Sequence, residues 1–338
     1  MKGRIFAIGA SMGGIEALQI LVGELPADFP AAILVTQHVG AHGPGLLPQM
    51  LTREGRLVAV HPRDGDPIEP GRIYVAPPDR HLLVEKGFVR LSHGPRENFA
   101  RPAIDPMFRS AAIAYGPAVV GVVLTGLLDD GTAGLMAIKD RGGTAIVQDP
   151  AEAAAPSMPR SALRHVPVDH CLGLTAMASL LLELARDDPA EPPKDQVRLH
   201  LMQIENRIAS GIVSADDWLA LAQGSVASGL NCPDCRSALY EFKDARVLRF
   251  RCCCGHAYSA QNLLAAQRGA WEAGLSTVFD LAIEEATLAR RMAAMDGYRD
   301  DPGFAAGLRA RAHDLERDAA RMAGLLYPGA GTSGARNS

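Results

Sequence analysis

Between Arg4 and about Arg186, short apolar runs alternate with segments whose apolar residues recur every three or four positions. The clearest runs are "RIFAIG", "AAILVTQH", "GRIYVAPP", "VVGVVLTG" and "GGTAIVQD". Each is apolar at consecutive rather than alternate positions, so each would be buried on both faces, with the helical segments between them as cover. The pattern predicts an α/β fold over residues 1–186, a doubly wound and mainly parallel sheet. The stretch "RDDPAEPPKD" that follows is charged and proline-rich, which disfavours packed structure and suits an interdomain linker over 187–196. Beyond it an amphipathic helix begins near Val197 and leads into a cysteine-rich segment, together a helix and ribbon-like module over 197–258. From Ser259 the apolar positions Trp271, Leu275, Val278, Ala282, Ala289 and Met292 keep helical spacing. "DGYRDDPG" breaks that pattern before a second helix, so 259–327 should form an antiparallel helical hairpin, with 328–338 a disordered tail.

Composition narrows the function without naming it. A chain of 338 residues has room for more than one domain, and a net charge of −4 with no dense basic block argues against a nucleic-acid partner. The start lacks the features of a signal peptide, and no apolar run reaches the roughly 18 residues of a membrane span, so a cytoplasmic protein without membrane insertion is expected. All six cysteines lie at or after Cys171, and five fall between Cys232 and Cys254, which in a reducing compartment favours metal over disulfides.

Two places carry chemistry. The first is "GASMG", Gly9 to Gly13, where a strand must turn sharply into a helix with Ser11 at its tip. The spacing G-x-S-x-G is that of a nucleophile elbow, and the helix that follows offers free N–H groups to an anion. A dinucleotide-binding turn would need an acidic residue at the end of the second strand, where "ILVTQH" offers Thr36, Gln37 and His38. Serine needs a base, and the base needs a partner that fixes its tautomer. His38 ends the next strand on the same sheet edge; Asp130, or failing it Asp129, ends another. The backbone N–H of Met12 is the expected oxyanion donor. Arg101 either touches the substrate or anchors a loop, while His42, His61, His81 and His93 read as structural or solvated.

The second place is Cys232-Pro-Asp-Cys235, followed by "RCCCGH", Arg251 to His256, with sixteen residues between Cys235 and Cys252. Two knuckles at this distance suit a tetrahedral structural zinc held by Cys232, Cys235, Cys252 and His256, with Cys254 competing for either of the last two positions. Such a site would stabilise its module and serve partner contact. Because the linker separates two cores, removing the metal should leave the serine chemistry intact.

The motifs "IGASMGG", "TQH", "YVAPPDRHL", "RPAIDPMF", "GVVLTGLLDDGTAGL" and "SMPRSAL" occur in an order and spacing that resembles the catalytic domain of the chemotaxis protein-glutamate methylesterases, the CheB family, from about Ile5 to Leu184. That resemblance implies Ser11 as nucleophile, His38 as base, Asp130 as its orienting group, and Leu127 as a second oxyanion source. It implies hydrolysis of glutamate methyl esters on a chemoreceptor or other methylated signalling protein, deamidation of glutamine at such sites, and no catalytic cofactor. The "FRC…GH" segment resembles C-terminal modules of some family members that lack a receiver domain. With the nucleophile already at residue 11, phosphorylation in cis is not expected to gate the chain, and the hairpin is a candidate surface for a partner protein. The competing reading is a non-catalytic adaptor whose esterase-like half and ribbon bind methylated or glutamate-rich helices.

Overall fold

The structure is a computed structural model that describes residues 3–189, 197–243, 246–295 and 301–327. Most of the expected linker and the whole expected tail lie outside the described residues. The first elements are β1 (Ile5–Ala10), α1 (Gly14–Gly23), β2 (Ala32–Gln37), α2 (Leu47–Glu54), β3 (Val58–Val60), β4 (Arg72–Val75), β5 (His81–Glu85) and β6 (Phe88–Ser92). Then come α3 (Ile104–Tyr115), β7 (Val119–Val123), α4 (Thr132–Asp140), β8 (Thr144–Gln148), α5 (Ser157–His165), β9 (His170–Leu172) and α6 (Leu174–Leu184). The remaining elements are α7 (Val197–Ser210), α8 (Ala215–Gln223), β10 (Ser225–Asn231), β11 (Ala238–Phe242), β12 (Arg249–Cys252), β13 (Ala257–Ser259), α9 (Ala260–Ala294) and α10 (Pro302–Leu326).

Seven strands form one parallel sheet in the order β3-β4-β2-β1-β7-β8-β9. Alternation along the central strands divides the core in two. Ile5, Ala7, Leu34, Val123 and Val147 pack against α3, α4, α5 and the β5–β6 hairpin. Phe6, Ile8, Val35, Val122 and Ile146 face α1, α2 and α6. The sheet is covered on both sides, which is why its strands read as continuous apolar runs. With β2 on one side of β1 and β7 on the other, the chain reverses its winding at β1, and the crevice at the carboxyl ends of these strands is where such sheets place ligands.

The chain divides into two compact units, Met1–Leu263 and Leu264–Ser338. The first reaches well past the boundary expected at Arg186, for a physical reason. Helix α7 packs on α3, and its Met202 joins the core on the α3 side of the sheet. The four-stranded antiparallel sheet β10-β11-β12-β13 also lies in this unit, with Leu239, Phe250, Tyr258 and Leu263 around Cys232 and Cys252. A buried ionic cluster joins it to the rest of the unit. Arg109 on α3 makes two hydrogen bonds to Glu97, at 2.7 and 3.2 Å. Arg251 on β12 reaches the same Glu97 at 3.0 Å and Glu205 of α7 at 3.2 Å. At Gly94 a Cβ would lie 1.9 Å from the carbonyl oxygen of Ala209, so only glycine allows α7 to end against that loop. The expectation of two independently cored halves is therefore revised: charges separated in sequence are neutralised only when the cysteine-bearing sheet is docked.

In the second unit, Ala286 and Ala289 of α9 meet Ala312 of α10, with Leu308 and Leu315 beside them. Arg290 pairs with Glu316, and Arg311 with Glu285 at 2.9 Å. Trp271 and Val278 of the expected apolar stripe are exposed. Among the described residues no helix is long and apolar enough to cross a membrane.

Candidate active site and metal centre

Ser11 stands one residue beyond β1, where the chain turns into α1. Its N–H donates to the Thr125 carbonyl at 2.9 Å, and its own carbonyl accepts from Gly14 N–H at 2.9 Å. Gly13 closes the turn with φ of 74°, a left-handed backbone in which a Cβ would lie 2.6 Å from that of Ala154. Gln37 clamps the turn from β2, its amide donating to the Ser11 carbonyl at 2.8 Å. The hydroxyl is thereby held at the open edge of the sheet.

The Ser11 Oγ lies 3.1 Å from His38 Nδ1, and His38 Nε2 lies 2.7 Å from Asp130 Oδ2. Asp130 is buried, and its two oxygens collect donors from several elements. Oδ2 also accepts the Ile104 N–H at 2.7 Å; Oδ1 accepts from Asn98 Nδ2 at 2.8 Å and from Gly131 N–H at 3.0 Å. Burial opposes ionisation of Asp130, but the hydrogen bond and charge of His38, with the Ile104 and Asn98 donors, hold its carboxyl below the ordinary range. A carboxylate opposite Nε2 places the ring proton there and leaves the Nδ1 lone pair toward Ser11. Asp105, also buried, accepts from Asn98 and from Gly134 N–H. Burial and the neighbouring charge of Asp130 push its carboxyl well above the ordinary range.

Of the two candidate aspartates, Asp130 alone meets His38. Asp129 turns to Ser259 and Asn262, which both donate to its Oδ1. Met12 and Leu127 flank the serine with exposed side chains, and among the described residues neither backbone N–H donates a hydrogen bond. Arg101 is committed to the loop: Nε and Nη2 donate to Asp79 at 2.9 and 2.8 Å, and Nη1 to the carbonyls of His93 and Gly94. Of the two roles expected for it, this arrangement supports anchoring. Arg101→Ala should lower the unfolding free energy by about 1 kcal/mol while leaving KM for a methylated peptide unchanged; a large rise in KM would return it to substrate binding. His81 is fully buried between the Pro95 carbonyl and the Ala103 N–H, and burial lowers its pKa, so it is a neutral core residue. Asn98 and Gln37 escape sequence reasoning because neither stands in a motif whose chemistry requires it; the only signal was Gln37's place before His38.

The ligand atoms of Cys232, Cys235, Cys252 and His256 all lie within 4.8 Å of one another. Cys235 Sγ is 3.7 Å from Cys252 Sγ, and His256 Nδ1 is 3.7 Å from Cys232 Sγ and 3.5 Å from Cys252 Sγ. Zinc–sulfur bonds of about 2.3 Å in a tetrahedron set sulfurs roughly 3.8 Å apart, so the group fits one ion. Cys254 is exposed and outside the four. Burial resists ionisation of Cys235, yet hydrogen bonds with Ser237 and His256 bring its thiol down to about 6; burial pushes Cys232 up to about 12, a proton that a metal would have to displace.

Known proteins resemble the parallel-sheet half of the chain. The family model described as CheB methylesterase matches residues 6–181, more than half of the chain. The chain belongs to the CheB methylesterase family. The protein-glutamate methylesterase/protein-glutamine glutaminase 2 of Anaeromyxobacter dehalogenans is 42% identical over 182 residues, 54% of this chain and 53% of that protein. A Leptospira interrogans relative, provisionally named with the same two activities, is 39% identical over 189 residues, 56% of this chain and 98% of its own length. The crystal structure of the Thermotoga maritima CheB methylesterase catalytic domain superposes with a TM-score of 0.53 at 33% identity, covering 54% of this chain and all of that one. The chain spans about half the length of relatives such as the Anaeromyxobacter protein. The parallel-sheet half is thus a CheB-type hydrolase domain, of a family whose chemistry needs no cofactor.

Proposed function

We propose that this chain hydrolyses glutamate γ-methyl esters on a methylated chemoreceptor or similar signalling protein, and deamidates glutamine at such sites, through Ser11, His38 and Asp130. The carrying observation is the continuous chain of hydrogen bonds from Ser11 Oγ through both ring nitrogens of His38 to a buried, multiply bonded Asp130. Ser11 Oγ attacks the ester carbonyl as His38 Nδ1 takes its proton; the carbon–oxygen bond to methoxide breaks, and His38 returns the proton to give methanol. Water then attacks the acyl-enzyme by the same route. Asp130 keeps the ring oriented and stabilises the imidazolium. The free N–H groups of Met12 and Leu127 are the donors for the oxyanion, each worth about 3 kcal/mol of barrier. In a non-catalytic adaptor this relay would serve no purpose.

Residues 1–186 would carry catalysis. Residues 197–258 would be a zinc-ribbon-like module, and 259–327 a helical hairpin whose exposed Trp271 and Val278 suit a partner protein. Cys232, Cys235, Cys252 and His256 would hold the zinc, which when bound supplies a closed structural crosslink and no catalysis. Purified protein should contain about one equivalent of zinc, measured by elemental analysis; less than about half would reject the site. The activity is tested by incubating the protein with receptor carrying labelled methyl groups and collecting volatile methanol. Loss of label without methanol, or no loss from any methylated protein of the same cell, would reject the esterase reading.

A further inference from the structure

We propose that the cysteine-bearing sheet is part of the catalytic apparatus: its last strand, β13, holds Asn98 so that the Asn98 amide fixes Asp130. This rests on the esterase reading above and names a positioning residue for it, together with the element that controls that residue.

Asn98 lies in a loop of the parallel-sheet half, yet β13 supplies most of its restraints. Its N–H donates to the Ala257 carbonyl at 2.8 Å, and its side-chain oxygen accepts the Ser259 N–H at 2.8 Å. That second bond fixes which way the amide points. The Nδ2 group must then face inward, where it donates to Asp130 Oδ1 at 2.8 Å and Asp105 Oδ2 at 2.9 Å. The backbone here is not one the segment would adopt alone. Asn98 and Phe99 have φ of 51° and 66°, consecutive left-handed residues, of which only asparagine tolerates that region readily. Such a conformation persists where its surroundings over-determine it. They do so here through Ala257, Ser259 and the Tyr258 ring, which meets Phe99 edge-on with centroids 5.4 Å apart.

The end of β13 and the first turn of α9 grip the neighbouring aspartate, since Ser259 Oγ and Asn262 Nδ2 both donate to Asp129. Tyr258 connects this corner to the cysteine knuckle, its hydroxyl donating to Asp234, with Cys232 Sγ 4.0 Å away. A physical path therefore runs from the metal-ligand cluster through β13 and Asn98 to Asp130, His38 and Ser11. Opening the cluster would release β13, and with it the amide that sets the Asp130 carboxylate against His38.

The test uses the full chain and three readouts: kcat and KM for methyl-ester hydrolysis, the rate at which a fluorophosphonate labels Ser11, and the downfield proton resonance of His38 Nε2–H. Asn98→Ala should lower kcat and labelling about 10- to 100-fold, as small misplacements of reacting groups do, with KM within about threefold and the downfield proton shifted or broadened. If that variant does not fold, Asn98→Asp, which keeps the acceptor for Ser259 N–H but, when ionised, offers no N–H to Asp130, should show the same loss. Stripping metal from the wild type with a chelator should reproduce both the labelling loss and the proton change, and should add little in Asn98→Ala, because both act through one path. Unchanged kcat, labelling and resonance in Asn98→Ala would overturn the proposal. Equal chelation effects in wild type and variant would also overturn it, by placing the coupling elsewhere. If the wild type released no methanol, the esterase reading would fail, while labelling and the resonance would still decide the coupling.

Discussion

Replacing Ser11 with alanine should reduce methanol release from a methylated receptor by about ten-thousand-fold or more while leaving the fold intact. The loss is large because the nucleophile and its base act as a unit: without Oγ, His38 has no proton to accept and no acyl-enzyme forms. The residual rate, still above that in water, would come from binding and from the Met12 and Leu127 N–H groups. Stability should change by no more than about 0.5 kcal/mol, since the hydroxyl's one side-chain partner among the described residues, His38, keeps partial access to solvent and stays anchored by Asp130. Methanol release with equal thermal unfolding of the two proteins gives both quantities. A Ser11→Ala variant that retained activity would move the chemistry to another residue.

The largest expected effect on stability lies away from the serine. Glu97→Gln should destabilise the first compact unit by about 3 to 5 kcal/mol, because it leaves the buried guanidiniums of Arg109 and Arg251 facing a neutral amide. Glu205 would remain as the carboxylate partner of Arg251 and Arg249. The effect has a pH signature whose sign follows from linkage. Burial resists ionisation of Glu97, but Arg109 and Arg251 hold its carboxyl well below the ordinary carboxylate range. A group depressed in the folded state contributes stability above its unfolded pKa, about 4.3, and loses it as pH falls toward the folded value. The stability difference between wild type and Glu97→Gln should therefore be full near pH 7 and shrink below about pH 4. Denaturant unfolding from pH 3 to 7 measures it; a pH-independent difference would mean that packing rather than charge is lost. Because Glu97 precedes Asn98, activity of the variant should fall before global unfolding begins.

The parallel-sheet half was legible because its signals are local. Strands buried on both faces must be apolar at successive positions; Ser11 and His38 directly follow β1 and β2, and Asp130 lies in the loop between β7 and α4, so the parallel order of these strands brings all three to the same end of the sheet. The cysteine spacing pointed to Cys232, Cys235, Cys252 and His256, with Cys254 as the alternative, because a knuckle is a short-range structure, and the ligand atoms of those four lie within 4.8 Å of one another. Spatial arrangement decided the rest. The choice of Asp130 over Asp129 and of His256 over Cys254 depends on side-chain direction, which spacing does not encode. So does the ring orientation that puts Nδ1 toward Ser11. The largest departure concerned the halves themselves. A proline-rich stretch signals where local structure stops, but it carries no information about surfaces that meet again beyond it. Glu97 meets Arg251 across 154 positions and Asn98 meets Ser259 across 161. Buried charges and a strained loop of this kind are unfavourable until their distant partners arrive, so only the folded chain shows that residues after residue 197 hold the loop at Glu97 and Asn98.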